Sequence, residues 1–139
     1  MSDTSKSEPA QRADLWPIGV IRSELTAVAD SPKQGSEGAP DAWIEIQPWA
    51  AKGLTGLAVG DSIVVITWFH AARRDVLEVR PRGDANNPLT GVFATRSPHR
   101  PNTLGLHPVV VRSIDGLRLR VGPIEAIDGT PDVDIKPVL

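Results

Sequence analysis

Glycine and proline interrupt this chain so often that short strands joined by turns fit it better than a bundle of helices: 12 Gly and 13 Pro fall among 139 residues. Proline fixes φ near about −65° and lacks an N–H donor, and glycine weakens a helix interior. The apolar runs between these breakers are strand-like. Ala42–Gln47 (AWIEIQ) alternates Trp43, Glu45 and Gln47 against Ile44 and Ile46, the period of a half-buried strand. Asp61–His70 (DSIVVITWFH) is β-branched and aromatic and reads as a central strand. Leu15–Arg22 (LWPIGVIR) reads as the first strand, with Pro17 near its start, where a missing donor is tolerated. Val76–Arg80 is a short strand that Pro81 ends. His107–Ile114 and Leu117–Val121 flank Asp115-Gly116, a hairpin signal. Pro48–Leu57 can begin as one or two helical turns, with Pro48 at the first position. Ala126–Leu139 reads as a turn followed by a short extended tail. These elements predict one domain over residues 14–139, a small, mostly antiparallel barrel or sandwich, after a polar, disordered tail over residues 1–13.

Several function classes fall away. No cysteine is present, so neither disulfides nor thiolate chemistry is available. No GxGxxG fingerprint and no regular βαβ alternation appear, which excludes dinucleotide binding of the Rossmann kind. His70, His99 and His107 are widely separated and no metal-spaced cluster stands out, so no metal is expected. The first residues, MSDTSKSEPAQRAD, lack an apolar run, and no stretch approaches the roughly 18 apolar residues of a membrane span. A cytoplasmic protein without membrane attachment is the expectation. The formal charge of −2 hides an uneven distribution: residues 70–120 carry nine Arg, no Lys and four Asp/Glu. Arginine suits bidentate contacts to phosphate and carboxylate better than lysine does. Solvated strand faces explain such arginines equally well.

Within that basic region lies Gly91–Val111, GVFATRSPHRPNTLGLHPVVV. It is too broken for a helix and too polar for a core. Pro98 and Pro101 stiffen it, and each pushes the residue before it, Ser97 and Arg100, towards extended conformations. A stiff, cationic, hydroxyl-rich loop is a preformed site for an anion or polar ligand, because the ordering entropy is lost before binding.

GVFATRSPHRPNTLGL closely resembles the signature of the TsaA-like (TrmO-type) family of tRNA methyltransferases. IGVIRS (Ile18–Ser23), ITWFHAARRD (Ile66–Asp75) and IDGTPDVDIKP (Ile127–Pro137) resemble further family segments, in order. The likeness extends over residues 16–139. It implies a TsaA-like β-barrel with short helical segments that binds S-adenosyl-L-methionine outside the Rossmann class. It also implies a homodimer with the cofactor pocket near the subunit interface. The methyl acceptor it implies is N6 of threonylcarbamoyl-adenosine in tRNA. Cofactor contacts would come from Pro32, Lys33 and Gln34, from Phe69 and His70, from Arg96 and Leu106, and from Asp128, Gly129 and Thr130. The backbone amides of that last turn become candidates for holding the adenine or methionine end.

Of the residues so marked, Arg96 can pair with a carboxylate of the cofactor or of a threonylcarbamoyl group by a two-pronged contact, or tie its own loop together. His70 can hydrogen-bond the cofactor or take a proton from the acceptor nitrogen, or simply end its strand half-buried. Arg96 and His70 are therefore the catalytic candidates. Arg100, Asn102 and Arg112 are the candidates for substrate binding, with Asn102 better suited to bracing the turn. Trp43, Trp49 and Trp68 suit a core or interface unless one of them stands in a basic groove. Where relatives carry Arg, Phe, Pro and Ser, this chain has Lys33, His99, Thr103 and His107. Two other readings use the same pocket: a methyltransferase for a small-molecule acceptor, and a non-catalytic S-adenosylmethionine-binding module.

Overall fold

A computed structural model describes residues 11–26 and 38–139 of the chain. Residues 1–10 of the expected tail and the segment holding Pro32, Lys33 and Gln34 lie outside the described residues. Residues 11–13 form no regular element. The strands are β1 (Gly19–Arg22), β2 (Ala42–Ile46), β3 (Ser62–Trp68), β4 (Glu78–Val79), β5 (Thr90–Gly91), β6 (Leu104–Asp115), β7 (Arg118–Gly122) and β8 (Pro131–Pro137). Six of them close an antiparallel barrel in the order β1-β2-β7-β6-β3-β8. β4 and β5 form a small separate ribbon. Short 3-10 helices at Pro48–Leu54, Pro81–Gly83 and Val92–Ala94 complete the described elements. No helix among the described residues is long and apolar enough to cross a membrane.

Period-two alternation builds the interior. Ile21, Ile44, Ile46, Ile63, Val65, Val109, Val111, Leu119 and Val121 point inward, and Ile124 and Ala126 cover the barrel beside them. Each such aliphatic side chain, fully buried, contributes roughly 1.5–3 kcal/mol. Pro108 sits within β6, opposite Val64 of β3. It lies outside the β6–β7 ladder, which runs from Val110 to Asp115, so its missing donor leaves no gap on that side. The β6–β7 turn is Gly116-Leu117, one residue later than the dipeptide signal implies, because Asp115 already pairs with Arg118. Gly116 holds φ at +59°, which the first central position of such a two-residue loop demands.

Three expectations need correction. The first strand begins at Gly19, not Leu15, although Ile18 still donates to the Asp132 carbonyl and accepts from Gln47 N–H. The expected strand at Val76–Arg80 is only two residues long. The expected C-terminal tail is the seven-residue β8, which fills the place between β1 and β3 and closes the barrel. The extended conformation is as expected; its place as a paired barrel strand is set by long-range partners that its polar sequence does not reveal.

Candidate cofactor site

The end of β3, the far end of the Gly91–Val111 segment and the turn before β8 meet at one end of the barrel. Phe69 N–H donates to the Thr103 carbonyl at 2.8 Å, extending the register in which Trp68 opposes Leu104. Phe69 folds over Gly105, where a Cβ would lie 2.6 Å from its ring and 2.8 Å from Thr67 Oγ1. The Phe69 ring also meets His107 edge to face, with centroids 6.0 Å apart. Thr67 pairs in register with Asp132. Phe69 lies two residues beyond Thr67 and Thr130 two residues before Asp132, so both reach the same end.

Beneath Phe69 runs a polar chain that sequence reasoning missed. His107 Nε2 bonds Thr67 Oγ1 at 2.6 Å, and its Nδ1 bonds Glu125 Oε1 at 2.5 Å. His107 and Thr67 are wholly buried. Asp132 is also wholly buried, and neither carboxylate oxygen has a hydrogen-bond partner. Burial pushes its pKa up to about 8; the Asp134 N–H, short of a formed hydrogen bond, opposes this, and the Asp134 carboxylate adds to it. A register shift creates this arrangement. Ile66 opposes Asp134 while Thr67 opposes Asp132, so Val133 is passed over and Asp132 turns inward. Alternation alone cannot reveal such a shift.

The turn Asp128-Gly129-Thr130 clasps the chain leaving β1. Asp128 N–H donates to Leu25 O, Gly129 N–H to Ile21 O and Thr130 N–H to Ile127 O. The expectation that these amides hold a ligand is therefore corrected: all three are engaged within the fold. What the turn presents is the exposed Asp128 carboxylate, one oxygen of which accepts Ser23 N–H at 3.0 Å. On the far side of residues 27–37, Pro40 O accepts Ile124 N–H. Leu25 and Pro40 thus both lie against residues 124–128.

The signature loop is braced by side chains. Arg100 Nη1 donates to the carbonyls of Thr95 and Ser97, at 3.0 and 3.2 Å. Arg74 donates to Pro101 O at 2.6 Å and to Asn102 Oδ1 at 3.4 Å. His99 Nδ1 accepts Arg73 N–H at 3.0 Å. Arg100 and Asn102 therefore hold the loop's shape. Arg96, in contrast, is exposed and has no hydrogen bond or ion pair among the described residues. His70 is exposed, with its ring edge-on to Trp68 at 5.7 Å. Leu106 projects from the outer wall, 45% exposed and opposite Ile66. Arg112 lies elsewhere on the barrel, 3.6 Å from Asp41.

Outward residues of β3 and β6 form an apolar wall. Trp16, 73% exposed, stacks edge-on against Trp49 at 6.3 Å. Together with Ile18, Ile66, Leu104 and Val133 they line a shallow groove.

A closed six-stranded barrel, with this loop stitched to β3 and this turn clasping β1, defines the TsaA-like class. Residues 20–139 match the family described as the tRNA-methyltransferase O N-terminal domain, and the chain belongs to it. A probable S-adenosyl-L-methionine-binding protein of Pyrococcus horikoshii is 43% identical over 126 residues, spanning 88% of this chain and 79% of that one. A protein of the same description from Methanothermobacter thermautotrophicus is 41% identical, with 88% of each chain covered. Among solved structures, TrmO from Pseudomonas aeruginosa superposes with a TM-score of 0.73 at 30% identity. That match covers 94% of this chain and 58% of TrmO, so the chain spans little more than half the length of its solved relative.

Proposed function

We propose that this chain is an S-adenosyl-L-methionine-dependent methyltransferase domain that acts on N6 of threonylcarbamoyl-adenosine in tRNA. The observation that carries the reading is Arg96: in a loop whose other arginine is engaged in bracing it, this guanidinium stands free. The side chains offered here suit a zwitterionic nucleoside. Arg96 supplies donors for a carboxylate. Asp128 supplies acceptors for hydroxyl or amino groups. Phe69 and Leu106 supply apolar contact. When bound, S-adenosylmethionine supplies a methyl group on a sulfonium, open to in-line displacement by a nitrogen. The chain's own part is to align and to exclude water, which is worth several kcal/mol of barrier. Arg96 anchors, Phe69 is fixed from below by Gly105 and His107, and exposed His70 is placed to accept a proton from the acceptor nitrogen.

Among the described residues, these are not gathered in one enclosed pocket of the single chain. Phe69 and the closing turn lie at the barrel's end, whereas Leu106 lies on the apolar outer wall. A second copy seated on that wall would cover Trp16, Trp49, Leu104 and Leu106, and would complete the site with residues of both copies. The working form in this reading is a cytoplasmic homodimer.

Calorimetric titration with S-adenosylmethionine tests the first step. The wild type should bind, and Arg96→Ala should bind at least tenfold more weakly at unchanged thermal stability. Absence of binding by the wild type would sink the proposal. Methyl transfer to a small molecule with no RNA present would redirect it to the other acceptor class. Sedimentation at micromolar concentration should show a dimer that Leu106→Glu dissociates.

A further inference from the structure

The wall of the barrel facing away from the apolar one carries arginine. In the antiparallel register, Arg22, Trp43 and Arg120 form one cross-strand row over β1, β2 and β7. Val20, Glu45 and Arg118 form the next row on the same face. The Arg118 guanidinium lies 4.2 Å above the Trp43 ring. Arg112 joins from β6, and it and Arg120 stand 3.6 and 3.5 Å from the two oxygens of Asp41. Three arginines thus flank one half-exposed tryptophan, with Arg112 beyond Arg120; Arg22 Nε donates to Glu45 Oε1 at 2.9 Å, and Arg112 and Arg120 face Asp41. The row begins beside the candidate site, since Ser23, next to Arg22, donates its N–H to Asp128 Oδ1 at 3.0 Å. In barrel order β2 and β7 lie across from β3 and β8, so a second copy on the apolar wall leaves this one open.

We propose that this arginine wall docks single-stranded RNA, with a base stacked at Trp43–Arg118 and phosphates held by Arg22, Arg112 and Arg120. An open sheet face with a half-exposed aromatic suits unstacked bases, which stack on aromatic rings and on guanidinium planes alike. The contacts to Asp41 are long, and the shorter one from Arg22 to Glu45 is exposed on both sides; ion pairs at such a surface contribute little. Phosphates can therefore replace these carboxylates as partners without a large loss. Among macromolecular polyanions, an RNA loop offers both the charge and the exposed base that this face would engage. The inference rests on the tRNA reading above and adds where the RNA lies.

The test is fluorescence anisotropy with a labelled anticodon stem-loop oligoribonucleotide over a salt series. Trp43→Ala should weaken binding by tenfold or more. Arg118→Glu/Arg120→Glu should weaken it at least as much and flatten the salt slope by roughly 0.7 for each phosphate no longer neutralised. Titration with S-adenosylmethionine and the urea midpoint should stay at wild-type values, which excludes misfolding as the cause. If the wild type binds the oligoribonucleotide and both variants bind it equally well, this placement is wrong while the tRNA reading stands. If the wild type binds no RNA at all, both fall. If the same substitutions abolish binding to phosphatidylserine vesicles but not to RNA, the wall is a membrane-contact face and the proposal is overturned.

Discussion

Replacing Asp132 by asparagine should remove a pH dependence of folding stability that the wild type carries. Asp132 is wholly buried between Gly19 of β1 and Thr67 of β3, neither of which brings a charge, and no group bonds its oxygens. Its pKa rises from an ordinary 3.8 to about 8 in the fold. Between those values the folded state keeps a proton that the unfolded chain releases. Unfolding therefore becomes easier as pH rises, by about 1.4 kcal/mol per unit. The contribution is complete below the unfolded value, has fallen by about 4 kcal/mol at pH 7, and levels off once the folded carboxyl ionises near pH 8. Asparagine keeps the shape and has no proton to lose. In urea denaturation at fixed protein concentration, Asp132→Asn should gain on the wild type by about 2 kcal/mol between pH 5.5 and 7. That slope requires only that the folded pKa lie above the range tested. A stability difference that stays constant over pH 5.5–8, or a wild type that gains on the variant towards pH 8, would refute the placement of a neutral, unpartnered carboxyl inside the barrel.

Two further substitutions probe the floor of the candidate site. Gly105→Ala places a methyl group 2.6 Å from the Phe69 ring, so it should displace that ring, cost about 1–3 kcal/mol in a denaturation curve and weaken S-adenosylmethionine binding measured by calorimetry. Glu125→Leu leaves the buried His107 Nδ1 without its partner and should cost about 1–3 kcal/mol, read as a lower denaturation midpoint.

The barrel was legible in the sequence wherever alternation was local. Ala42–Gln47 and Asp61–His70 appear as strands within a residue or two, because their inward aliphatics recur every second position. Where pairing partners decide, local pattern failed. DVDIK carries charge on alternate residues and reads only as an extended tail, yet β1 and β3 on either side make it a barrel strand. The bulge at Ile66–Thr67 then turns one of those aspartates inward, which no period can show. The signature loop was legible as stiff and cationic, since proline chemistry is local. The division of labour between its arginines was not, because Arg100 acts on carbonyls of its own loop whereas Arg96 has none to reach. Nor does any local pattern show that His107, wholly buried, joins Thr67 to Glu125 beneath Phe69.

Inner-face alternation fixes which residues fill the barrel but leaves the outer wall free to vary, and in this chain the two sides diverge. On β3 and β6 the outward positions from Val64 to Trp68 and from Leu104 to Val110 are apolar, with Ser62 and Arg112 the polar exceptions at the far end, so most of the outer face of these strands is apolar. A strand of that kind in a sheet wet on one side exposes a contiguous apolar patch, which in soluble proteins marks an interaction surface. On β1, β2 and β7 the outward positions alternate arginine with Trp43 and Glu45, which keeps that side hydrated and available to a polyanion. The four tryptophans divide accordingly: Trp16, Trp49 and Trp68 belong with the apolar side, and Trp43 stands under Arg118 on the basic one. The candidate site lies at the barrel's end, with Leu106 on the first wall and Ser23, bonded to Asp128 and next to Arg22, at the edge of the second. In the proposed reading, a barrel with one apolar and one basic wall pairs with its own copy through the first and presents the second to RNA.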